Sequence, residues 1–592
     1  MKTKHFAAIA AAVLISVTLA GCGNKIEKNS MIQPPPVQED DPSVEDTSSL
    51  TEQQEDPPEE APVEFEEAQI TAKETKYVKF SKTYNAESGS ISGKAVQESE
   101  REGYKGKGYV TNISKQSDWE IAFDLPASQY YNISITVASD DAVQNGIALN
   151  GEKISEFTTG GKGKFETFTF KNIHLEEGIS KVSIIPENGV LDVDYVDVDA
   201  SEDISKLSLK LKDPSLSNKD SGYNAKALYK YLCDSFGKTV ILGQYDTMGT
   251  TYESDLIFRT TGKKPAIRFG DLMWATAKDG SAGSLEDELA AAEQWSSSGG
   301  IVGYMWNWYS PTEPEKAESF YAENTSFDLK KAVTKEKIAD KTPEEIQKLE
   351  KEGKISKECA AVIRDIDEVS EKLARLRDNG TAVIWRPLQE ASNGYFWWGS
   401  DEESYKWLWK LLYERQTKYH QLNNLIWVWS AQNASWYVGD SYCDVLSADV
   451  YSDSGSKGGQ VNFLLHLQSI SANKPIAMSE CGSLPQIQNI ADEKAMWSYI
   501  GQWGGNFIVD ENGKLSEEHN SEADLITMYN NNLTVTADKL PDFISMANEI
   551  KEQEEKSATE KKSDDTASDS GKDKKDSKDS STSDKNSESK TE

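Results

Sequence analysis

Two glutamates close apolar runs in the second half of the chain. Glu390 ends "AVIWRPLQE" (382–390), and Glu480 ends "PIAMSE" (475–480). Asp271, Gln389, Asp449 and Tyr451 stand at the ends of comparable runs. A pair of carboxylates facing one cleft is the minimum equipment for cleaving a glycosidic bond: one protonates the leaving oxygen, and the other attacks the sugar carbon or activates water. Arg386 shares a run with Glu390, placed to hold nearby carboxylates and keep one of them ionised. Aromatics crowd the same stretch, in "NGYFWWG" (393–399), and sugar rings stack on such side chains.

The elements that must position these groups repeat. Short apolar runs lie at 239–244, 265–271, 300–306, 382–390, 425–431, 444–451, 475–480 and 505–510. They are apolar throughout, as strands buried on both faces are. Amphipathic segments separate them. In "EVSEKLARLRDNG" (368–380), Val369, Leu373 and Leu376 share one helical face and a Gly ends it. Eight strand–helix alternations predict an α/β fold, a (β/α)8 TIM barrel over 220–547, with its chemistry at the C-terminal strand ends. Fourteen of the 15 Trp fall in this zone. Trp407, Trp409, Trp427 and Trp429, at helical or strand spacing, read as core. Trp397 and Trp398, on a loop past a strand end, read as site residues.

The rest of the chain divides around this zone. Lys2 and Lys4 precede an apolar run from Phe6 to Ala20, and "LAGC" follows it. This resembles a bacterial lipobox, so 1–22 reads as a lipoprotein signal peptide with Cys22 lipidated, which would anchor the protein to the outer face of a membrane. Residues 23–75 form an acidic, Pro-rich linker: 23–70 hold 14 Asp and Glu against two Lys, and such a segment buries too little apolar surface to order itself. Residues 76–200 alternate apolar with polar in "YNISITVAS" and "FETFTFKNI", which predicts a β-sandwich. Residues 551–592 carry ten Lys, 13 acids and no aromatic, and read as a disordered tail. The net charge of −35 argues against a nucleic-acid partner. The four Cys past Cys22 are scattered, and no Cys/His cluster marks a catalytic zinc, so no catalytic cofactor is expected. A monomer is expected.

The motifs resemble glycoside hydrolase family 26, the β-mannanase family. "IWRPLQEASNGYFWWG" is similar to its signature W-R-P-L-H-E-x-x-G-x-W-F-W-W-G. "GGIVGYMWNWYSPT" and "SFYAENTSFDLKKA" ahead of it resemble the family's strand-three end and the segment after that, and "WVWSAQNASWYVGD", "VLSADVY" and "KPIAMSECG" beyond it resemble strands five and six and the strand that carries the nucleophile. The resemblance implies a retaining (β/α)8 enzyme with Glu390 as acid/base and Glu480 as nucleophile. It also implies a substrate-binding set of Arg386, Gln389, Asn307, Trp308, Trp397, Trp398, Trp436 and Tyr451. Three departures stand out. Gln389 and Asn307 replace the family's His before the acid/base and in its Trp-His-Trp segment. At the end of strand eight, where the family tends to carry a Trp, "NFIVDENG" offers Asp510 instead, and Trp503 lies before the strand. These departures bear on the substrate: a β-mannan first, a mixed-linkage β-glucan or β-1,3-xylan as alternatives. A non-catalytic, glycan-binding surface lipoprotein is the reading from another class.

The β zone resembles a family 35 or family 6 carbohydrate-binding module in "YNAESGSISGKA", "YKGKGYV" and "NGVLDVDYVDV". That resemblance places Glu87, with Asp194, on a structural calcium, and Phe165 and Asn188 on the sugar. The bland alternative stays open: Glu87 as a solvated edge residue and Phe165 as core.

Overall fold

A computed structural model describes residues 64–73, 76–201, 203–451 and 457–569. The expected signal peptide with Cys22, most of the expected acidic spacer and residues 570–592 lie outside the described residues.

Residues 81–200 form two packed antiparallel sheets. One contains Ser81–Asn85, Val96–Glu98, Tyr109–Ile113, Gln129–Ala138, Glu166–Leu175 and Leu191–Ala200; the other contains Ser90–Ile91, Trp119–Leu125, Gln144–Leu149, Glu152–Thr158 and Gly178–Pro186. The alternation read from sequence is the burial pattern found. In Trp119–Leu125 the odd positions Trp119, Ile121, Phe123 and Leu125 are buried, facing Ile133, Ile135 and Val137 of the other sheet.

Residues 240–502 form eight parallel strands in sequence order: β1 (Val240–Tyr245), β2 (Ile267–Asp271), β3 (Ile301–Trp306), β4 (Val383–Pro387), β5 (Leu425–Trp429), β6 (Val445–Val450), β7 (Ile476–Cys481) and β8 (Tyr499–Gln502). β1 pairs with both β2 and β8, so the sheet closes into a barrel. Every strand residue is buried, which is why the runs are continuously apolar. The Phe269 ring fills the barrel centre: a Cβ on Gly243 or Gly303 would lie 2.4 or 2.3 Å from it, so both positions need glycine.

Strand eight is corrected. The run 505–510 is not a strand; it begins in a 3-10 turn, Gly505–Phe507, and Asp510 caps a tight turn by accepting from the N–H of Asn512 and Lys514. The strand is "YIGQ", four residues split by a glycine, and too short and mixed to stand out by hydropathy. Trp503 follows it directly.

The linker and tail boundaries also shift. Residues 64–73, expected to be spacer, lie along the barrel. Ala68 forms a bridge with Asn531, the Ile70 N–H donates to Asn532 Oδ1 at 2.7 Å, and Ile70 packs against the core. The tail, expected to be disordered from 551, continues a helix, Phe543–Asp569, as far as Asp569. Residues 551–569 hold four Glu and four Lys, which favour helix, and Glu554 pairs with Lys226 of the first barrel helix at 2.8 Å. Among the described residues, no helix is long and apolar enough to cross a membrane.

Candidate active site

The site lies at the C-terminal ends of the barrel strands. The chain past β4 turns sharply: Leu388 and Glu390 both adopt left-handed backbone, φ 55° and 50°, which non-glycine residues rarely hold without surrounding support. That support is visible. The Glu390 N–H donates to Ser430 O at 2.9 Å, and the Ser392 N–H to Ala431 O, so the turn is pinned to the end of β5. Glu480, one residue before the end of β7, is fully buried. A register shift between Ala448 and Asp449 sets Asp449 beside Glu480. One oxygen each of Glu390, Asp449 and Glu480 lies within 4.8 Å of the others.

Arg386 neutralises this cluster. Its guanidinium donates to Asp449 at 3.0 Å, to Glu480, and to the Tyr245 hydroxyl at 3.0 Å. Burial works against its charge, but Asp449, Tyr245 and Glu480 outweigh burial and hold its pKa well above the ordinary value. The Tyr451 hydroxyl donates to the other Glu480 oxygen at 2.6 Å. Burial and then the Glu480 charge push Tyr451 well above the usual phenol range, so it stays a donor. Glu480 is thus held through both oxygens, facing a carboxylate neighbour. This arrangement suits a fixed, charged nucleophile opposite a second carboxyl. With two of the three carboxylates already met by Arg386, the cluster is poorly suited to a metal ion.

The two amides that replace the family's imidazoles are bonded to each other: Gln389 Nε2 donates to Asn307 Oδ1 at 2.8 Å. Asn307 Nδ2 in turn donates to Asp271 at 2.7 Å. Burial pushes Asp271 up to about 6, against the backbone N–H groups of Asn307 and Met273 that favour its charge.

The aromatics divide differently from expectation. Trp308, Trp397 and Trp398 are fully buried and offer no face to a sugar. Each is tied down through its indole N–H, to Asp365, to Trp308 O and to Gln389 O respectively, and Trp308 stacks on Trp306 at 4.0 Å. Their indole N–H groups found partners inside, so they form the bed beneath the cleft. Trp436, half-buried on the loop after β5, remains a sugar platform candidate. Trp409, Trp427 and Trp429 are core. Trp503, read as out of place, packs on Tyr245 with ring centroids 4.8 Å apart, so the end of strand eight does carry its Trp. Tyr245 went unread because the first run was closed one residue early.

In the sandwich, the buried Asp194 accepts from Lys105 N with both oxygens at 3.0 Å. Burial first, with the neighbouring Glu87 charge, raises it to about 6. Glu87 takes Lys107 N on one oxygen, and its other oxygen is buried and meets no donor among the described residues. Phe165 is half-buried, 5.5 Å from Tyr109. Asn188 is exposed at the same end and accepts from Gln144 N at 3.0 Å.

Comparison with known proteins decides the family. The model for glycosyl hydrolase family 26 matches residues 217–539. The chain belongs to that family. The model for carbohydrate binding module family 35 matches residues 82–201, which selects family 35 over family 6. A mannan endo-1,4-beta-mannosidase of Thermothelomyces thermophilus is 32% identical over 473 residues, covering 77% of this chain and 90% of the relative. Mannan endo-1,4-beta-mannosidase A of Piromyces sp is 29% identical over 471 residues, covering 78% and 73%. Among solved structures, a ruminal GH26 endo-beta-1,4-mannanase superposes with a TM-score of 0.55 at 25% identity, covering 79% of this chain and 99% of that one.

Proposed function

We propose that this family 26 enzyme is a retaining endo-β-1,4-mannanase. The observation that carries the reading is Glu480, gripped on both oxygens by Arg386 and Tyr451 within 4.8 Å of Glu390. Retaining glycosidases set their two carboxyls about 5–5.5 Å apart. Glu480 attacks the anomeric carbon as the glycosidic C–O bond breaks, and Glu390 gives its proton to the leaving oxygen. Glu390 then takes a proton from water, the water oxygen bonds to the anomeric carbon, and the Glu480 carboxylate is released. Mannan as substrate is supported by the relatives' activities and by the Trp at strand eight. Release of reducing ends from β-mannan, mixed-linkage β-glucan and β-1,3-xylan, assayed side by side with Glu480→Ala, tests it. Activity confined to one of the other glycans contradicts the substrate, and binding of mannan without cleavage would favour the glycan-binding lipoprotein.

The sandwich is a sugar-binding module, with Phe165 and Asn188 at its ligand end. Glu87 and Asp194 fit a calcium ion: two adjacent carboxylates, one with a buried oxygen that no donor among the described residues meets, are the hard-oxygen set such a cation takes. The protein is exported and held on the extracellular face of a membrane through a lipid on Cys22. Globomycin-sensitive processing and labelling by palmitate test that anchor, and a Cys22→Ala chain that still labels contradicts it.

A further inference from the structure

Asp271, Asn307 and Gln389 form a buried hydrogen-bonded run across the ends of β2, β3 and β4. Asp271 accepts from the backbone N–H of Met273 at 2.9 Å, from that of Asn307 at 3.0 Å, and from Asn307 Nδ2 at 2.7 Å. The direction of this run is dictated. Backbone N–H groups are fixed donors to one Asp271 oxygen, and the ionised carboxylate can only accept at the other, so it selects the NH2 end of the neighbouring amide. The Asn307 oxygen is thereby turned to Gln389, whose own NH2 must meet it. Gln389 Oε1 is left over, and no donor among the described residues reaches it.

We propose that Asp271 is a positioning residue of this active site: its carboxylate fixes the polarity of the Asn307–Gln389 pair so that Gln389, next in the chain to Glu390, offers an oxygen and not an N–H. Its donor is a hydroxyl of the bound sugar, although the oxygen is closed to solvent in this structure. The inference rests on the mannanase reading for its substrate. An imidazole at either amide position could reverse the direction by changing tautomer; a primary amide reverses only by flipping end over end. One buried carboxylate two strands from the acid/base therefore controls a specificity contact.

Asp271→Asn tests this. The new amide keeps an oxygen for the backbone N–H groups but turns NH2 towards Asn307. Both amides must then flip, and Gln389 presents N–H. The expected loss in kcat/KM on mannotetraose is about 10- to 100-fold. The double variant Asp271→Asn with Asn307→Asp returns an acceptor to the middle of the run, restores the Gln389 orientation, and should recover most of that loss. A purely structural role would lower melting temperature without touching kcat/KM of the folded enzyme, or would leave the double variant worse than the single; either outcome overturns the proposal. Selective 15N labelling of side-chain amides reads the same polarity without substrate. The Gln389 NH2 signals should shift in Asp271→Asn and return in the double variant, and unchanged signals overturn the proposal. A wild-type chain silent on every β-mannan contradicts the mannanase reading instead, and the amide spectra still decide the polarity.

Discussion

At the residue scale, the proposed chemistry rests on how few groups hold Glu480. Arg386 meets Asp449, Glu480 and Tyr245 with its planar donors in a fully buried place, which the point charge of lysine cannot reproduce. Arg386→Lys is expected to lower kcat by about 100-fold or more, measured on a soluble manno-oligosaccharide. Tyr451→Phe removes one hydrogen bond to a charged group, worth roughly 1.5–3 kcal/mol, so about a tenfold or greater loss in kcat is expected. A wild-type rate in either variant contradicts these roles. Asp271 carries a pH signature of its own. Burial lifts its folded pKa to about 6, above the ordinary 3.8 of an exposed aspartate. The folded state therefore binds the proton more tightly. The stabilisation from that proton is full below pH 3.8 and is lost as pH rises through about 6. Melting temperatures of wild type minus Asp271→Asn should fall across that window, and a flat difference refutes the assignment.

At the scale of elements, the eight-stranded barrel was legible because strands buried on both faces must be apolar throughout, and seven runs stood where strands are found. Strand eight was misplaced for a physical reason. "YIGQ" is short, split by Gly501 and sandwiched between Trp497 and Trp503, while "NFIV" has a strand's hydropathy yet turns back on itself. Glu390 and Glu480 were visible from strand-end position and motif. Trp308, Trp397 and Trp398 were misjudged because sequence shows that an aromatic follows a strand, not whether loop 311–365 will cover it. Trp397 is covered in this way: its backbone N–H donates to Phe320 O, and Phe327 packs on its ring at 4.9 Å. The correction at strand eight carries a prediction. Trp503 is 4% exposed and packs on Tyr245, which meets Arg386. Trp503→Ala should cost about 3–5 kcal/mol of stability in urea unfolding. It should also lower kcat, because Tyr245 loses its support; an unchanged kcat would uncouple the two.

At the scale of the whole molecule, the sandwich is held to the barrel on both sides of its own sequence. Before it, Ala68 and Ile70 bind Asn531 and Asn532, and Lys73 N donates to Asp492 at 2.7 Å. From its own face, Tyr130 is buried in the barrel core. After it, Ile204 packs into that core, and Lys212 N and Ser217 N bond Ala472 O and Asp444. A module fixed this way holds polymer at a set distance from the cleft, and does not sweep a volume as a loose tether would. Deleting residues 64–73 should lower the melting temperature by several degrees while leaving kcat/KM on short oligosaccharides unchanged. An unaltered melt means the strap contributes nothing. Chelation should act more locally: if calcium joins Glu87 to Asp194, removing it lowers the sandwich's transition and its mannan binding, with short-substrate turnover retained.

The account stands or falls on the nucleophile. Incubation of the purified protein from Gly23 onward with a 2-deoxy-2-fluoro-mannosyl donor carrying a good leaving group, followed by peptide mass mapping, tests it directly. The predicted result is one covalent sugar on the peptide containing Glu480, with no adduct and no reducing-end release in Glu480→Ala. A sugar attached to any other residue, or mannan cleavage that survives that substitution, contradicts it.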